Sequence, residues 1–279
     1  MIGFGATPLK LVPRAVKKPW GRIDLPLFPN PDGQKIGEIC FEEPAGGRLP
    51  LLVKYIFTSE PLSIQVHPND AQASPYGLSS GKEECWYILD REPGATLGIG
   101  LISALSELEM REAIADGTIE QWIDWKAVEP GDFFFIPAGT VHAIGAGITL
   151  VEVQQNADIT FRLYDYGRAR ALHLEQGLEV SRLGPYERDP VHAELGETRT
   201  LLAEASAPFE LDIISWMAGQ QIETRSSARC WFVPLAGDGS IGGETFRRGE
   251  CWLTDRSTEI VGRSAGSALA AFSKPAVSA

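Results

Sequence analysis

The sequence predicts an all-β fold with a few helical insertions. Glycine (29 residues) and proline (19 residues) are scattered through the 279 residues and separate short apolar runs. These runs are rich in β-branched and aromatic residues, which favours strands over helices. Many short strands with frequent turn signals indicate a sandwich or a barrel. The predicted strands are 51–57, 62–67, 85–89, 133–137, 148–154, 209–218, 229–237 and 250–255.

Two segments are predicted to be helical. Ser106 followed by Glu109 makes a capping box, and Gly117 is a C-terminal stop signal, so residues 106–116 are expected to form a helix. A second helix is predicted within 174–182. Both helices interrupt a series of strands, so they are interpreted as insertions into a β-sheet protein.

A polar, turn-rich stretch at 183–208 suggests a join between two domains. We therefore expect an N-terminal extension at 1–50 that packs on a first domain at 51–182, followed by a second domain at 183–279. Strand signals resume after the join, so the two domains are expected to be alike in architecture.

The composition excludes several classes of function. Hydrophobic residues make up 44% and charged residues 22%, which is ordinary for a globular protein. The net charge of −12 disfavours a nucleic-acid partner, because an acidic surface repels phosphate backbones. No apolar run approaches a membrane span, and the four cysteines are far apart in the chain. We expect a reduced, cytoplasmic protein with no membrane partner, and its oligomeric state stays open.

The segment 131–142 has the most specific spacing. Gly131 allows a tight turn, a strand follows, and Pro137 and Gly139 end and redirect it before His142. A histidine in this setting is expected to be a metal ligand rather than a core residue. The spacing resembles the second motif of the cupin superfamily.

Three more residues extend this candidate metal site. Gln65 and His67 are two apart on a predicted strand, so their side chains point to the same face. Glu84 follows seventeen residues after His67. Together with His142 these residues offer two nitrogen and two oxygen ligands, a set that suits one Zn²⁺ per chain with an open position. Mn²⁺ and Co²⁺ are possible substitutes.

Four motifs together resemble the type I mannose-6-phosphate isomerases, and the sequences CWYIL and YDYGR resemble the short bacterial form of this family. The resemblance extends from about residue 20 to residue 173. The motifs are Ser63-x-Gln65-x-His67-Pro68, Gly81-Lys82-x-Glu84, Pro137-Ala-Gly-Thr-x-His142, and the run from Asp158 through Arg162 to Arg168.

The resemblance implies a fold and an activity. The fold would be two jelly-roll-like cupin barrels, with the metal in the first barrel alone, since no histidine follows His192. The activity would be the interconversion of mannose 6-phosphate and fructose 6-phosphate through an enediol(ate). A metal ion would stabilise the negative charge that develops on oxygen, and a general base would move the proton.

The resemblance also suggests roles for single residues. Lys82 would act as proton carrier or hydroxyl donor, although a neighbouring acid is an alternative general base. Arg162 would contact the substrate, and Asp158 would orient Arg162 or relay protons. Ser63 and Arg168 are the candidate phosphate ligands, with Arg170 as a weaker one; they would provide local positive or polar character in an acidic protein.

Two alternatives remain at this point. A related isomerase could act on another sugar or on an unphosphorylated one. A non-catalytic sugar-binding cupin could serve as a regulator, although such a protein would be expected to have lost a ligand or Lys82.

Overall fold

The protein is built mainly from antiparallel β-sheets. The structure, a computed structural model, describes residues 7–225 and 229–274. Its strands, in chain order, are β1 Leu9–Lys10, β2 Val12–Arg22, β3 Ile36–Glu42, β4 Leu51–Phe57, β5 Ile64–Val66, β6 Glu84–Arg91, β7 Thr96–Leu101, β8 Ile123–Ala127, β9 Asp132–Ile136, β10 His142–Ile144, β11 Ile148–Gln155, β12 Phe161–Tyr164, β13 Val191–His192, β14 Arg199–Leu202, β15 Phe209–Trp216, β16 Gln221–Glu223, β17 Cys230–Ala236, β18 Asp238–Ile241, β19 Glu244–Arg247, β20 Trp252–Thr254, β21 Glu259–Gly262 and β22 Gly266–Ser273.

The helices are short. They are α1 Asp70–Ala73, α2 Glu107–Asp116, α3 Ile119–Trp122 and α4 Leu174–Val180, and a 3₁₀ turn spans Ser74–Tyr76. The predicted capping box at the start of α2 is present, and Gly117 ends the helix with a φ of 78°. The second predicted helix is α4. Within the described residues, none of the helices combines the length and the apolar character that a membrane span requires.

The strands form four sheets. Their orders are β13-β9-β6-β11-β4-β3-β2, β12-β5-β10-β7-β8, β1-β20-β17-β22-β15-β14 and β16-β21-β18-β19. We call them the seven-, five-, six- and four-stranded sheets. The all-β prediction with helical insertions is therefore confirmed.

Four clusters of buried apolar side chains show how these sheets stack. One lies between the helices and the five-stranded sheet, and a second lies between the five- and seven-stranded sheets. A third joins the other face of the seven-stranded sheet to the six-stranded sheet, and a fourth joins the six- and four-stranded sheets. The seven-stranded sheet is therefore covered on both faces.

One predicted strand is shorter than expected. The sequence predicts a strand over 62–67, and β5 spans Ile64–Val66. Ser63 and His67 lie just outside it, and the carbonyl of His67 accepts a hydrogen bond from the amide of Gly139 rather than from a strand neighbour. Pro68 has no N–H to continue the ladder, which explains why the strand ends here.

Strand pairing links the predicted N-terminal extension, the first domain and the second domain to one another. In the N-terminal segment, β1 pairs with β20, whereas β3 pairs with β4. After residue 182, β13 still pairs with β9. These three pairings join each of the predicted segments 1–50, 51–182 and 183–279 to the other two.

Candidate metal centre and cleft

The candidate site lies between the five- and seven-stranded sheets, where the apolar filling gives way to polar side chains. Strand register brings three predicted residues into one row across the five-stranded sheet. Gln65 on β5 is paired with His142 on β10 and with Arg162 on β12. Glu84 begins β6 of the facing seven-stranded sheet, where it is paired with Ile136.

His67, Glu84 and His142 form a buried cluster. Their ligand atoms all lie within 4.8 Å of one another, and each residue is 1% exposed. His67 Nε2 is 3.4 Å from Glu84 Oε2, and His142 Nε2 is 3.5 Å from Glu84 Oε1. Zn–N bonds of about 2.0 Å would place tetrahedral ligand atoms roughly 3.3 Å apart, so these separations fit a divalent ion.

Both histidines are held in the form that binds metal. The Nδ1 atom of His142 lies 2.8 Å from the carbonyl oxygen of Thr140, which fixes that nitrogen as the N–H donor. The Nε2 lone pair is then directed toward Glu84. Burial lowers the pKa of His67 to about 3 and also lowers the pKa of His142, so both rings are neutral at pH 7.

Gln65 completes the set of predicted ligands. Its side-chain amide lies 3.3 Å from His142 Nε2. Ser63 Oγ donates to Gln65 Oε1 over 3.1 Å, so the serine orients the amide. The oxygen and nitrogen of an amide exchange places by a half-turn, so Gln65 can present its oxygen to a cation without moving its backbone.

Lys82 is in direct contact with this cluster. Its Nζ lies 2.9 Å from His67 Nε2 and 2.9 Å from Glu84 Oε2, and the residue is 7% exposed. The sequence places Lys82 two residues before Glu84 and predicts a common face for the two side chains. They do point into the same space, although Lys82 precedes β6 rather than lying in it.

The cluster lies behind residues that line a cleft of about 890 Å³, since its contact partners Gln65 and Lys82 face that cleft. Ser63, Gln65 and Lys82 line the cleft, as do Asp158 and Arg162. Asp158 is exposed and lies in the loop between β11 and β12. Five of the nine predicted site residues therefore face one cavity.

The guanidinium of Arg162 is only partly engaged in hydrogen bonds with the described residues. Its Nη1 donates to the carbonyl of Ala171 over 2.7 Å, whereas its buried Nε has no hydrogen-bond partner among the described residues. Burial lowers the pKa of Arg162, and the positive charge of Arg170 lowers it further. A negative charge in the cleft would act in the opposite direction and raise the pKa of Arg162.

Arg168 and Arg170 are placed differently. Arg168 Nη2 donates to the carbonyl of Pro61 over 2.8 Å, and its Nε donates to Asp165 over 3.1 Å. Arg170 makes a two-bond contact with the same Asp165 and also lines the cleft. The predicted phosphate ligand Arg168 is thus occupied by protein groups, whereas the weaker candidate Arg170 faces the cavity.

The sequence analysis missed a charged pair on the cleft wall. Lys54 Nζ lies 2.9 Å from Glu152 Oε1 and 2.6 Å from Gln154 Oε1. Burial lowers the pKa of Lys54, but the carboxylates of Glu152 and Glu38 outweigh that effect and raise it. The available signal was a single charge inside each of two apolar strands, LLVKYIF and ITLVEVQQ.

Comparisons with known proteins agree with the motifs. No family model matches the chain. The chain is 38% identical over 200 residues to a mannose-6-phosphate isomerase of Streptococcus mutans, and the match covers 69% of this chain and 62% of that protein. The chain thus spans less than two thirds of the curated relative that it matches.

Solved structures share the fold. The crystal structure of the mannose 6-phosphate isomerase from Bacillus subtilis superposes with a TM-score of 0.76 at 23% identity, over 95% of this chain and 99% of that one. A zinc-bound mannose 6-phosphate isomerase gives 0.73 at 16% identity, over 97% and 100% of the two chains. The predicted resemblance is confirmed: the chain is related in sequence and in fold to the mannose-6-phosphate isomerases.

Proposed function

We propose that the protein is a metal-dependent aldose–ketose isomerase that interconverts mannose 6-phosphate and fructose 6-phosphate. The observation that carries this proposal is the buried His67–Glu84–His142 cluster, whose contact partner Lys82 lines the same cleft as Arg162. The similarity to enzymes of this name supports the same reaction.

The metal would be held by Gln65, His67, Glu84 and His142. The fixed tautomer of His142 and the ligand separations near 3.4 Å support a divalent cation. When bound, Zn²⁺ supplies a Lewis acid for the oxygen atoms of the sugar. The same donors accept Mn²⁺ and Co²⁺.

Lys82 is the residue best placed to move the proton between C1 and C2. Its Nζ lies at the floor of the cleft, within 2.9 Å of two of the proposed ligands. Glu152 is the neighbouring acid that could share this role, since it is 3% exposed and lines the same cleft. Asp158 lies at the exposed wall, which suits an orienting role for the substrate or for Arg162.

The phosphate would bind at the basic end of the cleft. Arg162 and Arg170 both line the cleft there, and the guanidinium of Arg162 donates one hydrogen bond to the described residues, to the carbonyl of Ala171. Arg168 would act indirectly, because it shares Asp165 with Arg170 and so helps to place the carboxylate that holds Arg170. Ser63 donates to Gln65, so its first role would be to orient that amide.

Several further expectations accompany this function. Two cupin barrels, of which the first alone binds metal, would correspond to the domains 51–182 and 183–279, with 1–50 packed on the first. The stacking of the sheets in pairs supports this description. The substrate would be a small phosphosugar without nucleic-acid or membrane partners, and the location would be the cytoplasm.

The test combines elemental analysis with turnover of the purified full-length chain. We expect one zinc per chain, conversion of mannose 6-phosphate to fructose 6-phosphate in a coupled assay, loss of activity with a chelator, and recovery with added Zn²⁺. Equal turnover of free mannose would favour the unphosphorylated-sugar isomerase. Bound sugar without turnover would favour the regulator, and undiminished turnover by metal-free protein would contradict the proposal.

A further inference from the structure

Gln155, the last residue of β11, connects three segments that carry the candidate site. It is 6% exposed and follows Gln154, which is paired with Glu84 across the seven-stranded sheet. Its side chain does not point into the cleft. It contacts instead the segment 81–83, which contains Lys82, and the start of α1, which follows His67.

Both ends of the Gln155 amide are used. Its Oε1 accepts the main-chain N–H of Glu83 over 2.9 Å, and its Nε2 donates to Asp70 Oδ1 over 3.0 Å. The main-chain N–H of Gln155 also donates to the carbonyl of Glu83 over 3.0 Å. Asp70 Oδ1 accepts a second hydrogen bond, from the main-chain N–H of Gly81 over 2.7 Å. Asp70 and Gln155 thus hold the chain on both sides of Lys82.

The space around this segment leaves little room for adjustment. The Lys82 N–H donates to the carbonyl of Pro68 over 3.0 Å. A Cβ on Gly81 would lie 2.4 Å from the same carbonyl oxygen, so the segment lies directly on the chain that follows His67. The position of the Lys82 side chain relative to His67 and Glu84 therefore depends on these main-chain contacts.

We propose that Gln155, acting with Asp70, is a positioning residue that sets the place of the Lys82 amine in the cleft. The inference rests on the proposed isomerase function for its consequence in catalysis. Its geometric part, that the pair orders residues 81–83, stands without that function. A displacement of about 1 Å of a reacting group can reduce a rate by about 100-fold, so a small shift of this segment is expected to be measurable.

The two partners allow a double-mutant test. Gln155→Glu keeps an acceptor for Glu83 but removes the donor to Asp70 and sets two carboxylates against each other. Asp70→Ala removes the one oxygen, Oδ1, that accepts from both Gln155 and Gly81, so Gln155→Glu meets no opposing carboxylate in this background. The two changes are therefore expected to be strongly non-additive. Gln220→Glu, which adds the same charge at an exposed site in the second half, is the matched control.

The experiment compares the zinc-loaded full-length variants by steady-state kinetics and by amide hydrogen exchange over residues 79–86. Gln155→Glu is expected to lower kcat about tenfold or more, with KM and zinc content close to the wild type and faster exchange in the segment. The double variant with Asp70→Ala should lose no more kcat than the Asp70→Ala variant alone, and its exchange rates should match those of that variant. Gln220→Glu should change neither.

Other outcomes distinguish a failure of the positioning role of Gln155 from a failure of the proposed isomerase function. An unchanged kcat in Gln155→Glu, or losses of kcat in the two single variants that simply multiply in the double variant, would overturn the positioning role. If Gln155→Glu does not fold, Asp70→Ala removes the exposed partner and should show the same loss of kcat and faster exchange; unchanged values would overturn the role. If the wild type turns over no phosphosugar, the proposed function fails, and exchange alone decides whether the pair orders the segment.

Discussion

The two halves of the chain stack their sheets in a similar way but fill the space between them differently. Between the five- and seven-stranded sheets, the apolar cluster ends at a polar floor of His67, Glu84 and His142. Between the six- and four-stranded sheets, the buried cluster is apolar and includes Phe232, Phe246 and Cys230. The comparison teaches that the same layered arrangement can surround either a polar cluster or an apolar one.

The difference has an energetic side. A buried charge is stable only when it is paired and hydrogen-bonded, and the first half meets this condition by pairing Lys54 with Glu152 and Lys82 with Glu84. In the second half a buried carboxylate, Asp212, is likewise paired, with Arg225, but the rest of the inner layer gains its stability from apolar burial. We therefore expect substitutions in the two layers to have different effects.

The largest effect is expected from removal of a proposed ligand in the first half. His142→Ala deletes Nε2, the atom that would bind the metal, and should reduce isomerase activity about 1,000-fold or more. A catalytic metal contributes several kcal/mol to transition-state stabilisation. Zinc per chain, measured by elemental analysis, should fall in parallel. Full zinc content and full activity in this variant would contradict the proposed metal centre in the first half, and with it the contrast between the two layers.

The second-largest effect is expected in the apolar layer between the six- and four-stranded sheets. Phe232 is fully buried, and its ring lies 5.0 Å from the ring of Phe246. Phe232→Ala should lower the free energy of unfolding by about 3 to 4 kcal/mol through lost burial and a residual cavity. Denaturant titration measures this loss. Zinc content and kcat at low temperature should stay at wild-type values, and a parallel loss of zinc would show that the layers are coupled.

The smallest effect concerns a contact between the halves. His192 Nδ1 lies 2.8 Å from Asp132 Oδ1, and this hydrogen bond raises the pKa of His192; Glu194 and Glu197 are nearby acids that act in the same direction. The folded state then favours the protonated ring, so the stabilisation is complete below about pH 6.5 and is lost as pH rises through the raised value.

Because His192 is largely exposed, this contribution should be only a few tenths of a kcal/mol. Denaturant unfolding of the wild type and of His192→Asn at about pH 5.5 and 8.5 measures it as a difference. The gap between the two proteins should shrink at the higher pH. Asp132→Asn should reduce the pH dependence of the gap to the small part that Glu194 and Glu197 cause, and a gap that widens with pH would contradict the assignment.

Features set by nearby residues were predictable from the sequence. The helix at 106–116 follows from Ser106, Glu109 and Gly117, which act within a few residues of one another, and the structure contains α2 from Glu107 to Asp116. The two-residue spacing of Gln65 and His67 likewise predicts a common direction for their side chains. The structure brings both to Glu84 and His142, whose roles as ligands stay a prediction.

Features set by distant pairing were not predictable in the same way. Lys54 and Glu152 are 98 positions apart, and only the register of β4 with β11 shows that their charges meet. The sequence analysis ranked Arg168 above Arg170 as a phosphate ligand, whereas both contact Asp165 and, of the two, Arg170 lines the cleft. Short-range patterns carry no information on which of two arginines that share one carboxylate will also face a cavity.

The seven-stranded sheet limits how far this chain can be shortened. One of its faces carries the floor of the cleft, and its other face, with Val53, Tyr55 and Val151, is buried against the six-stranded sheet. A chain shortened to the half with the candidate centre would expose that second face to water and to other copies of itself. The C-terminal half therefore cannot be discarded as surplus, even though every proposed ligand lies outside it.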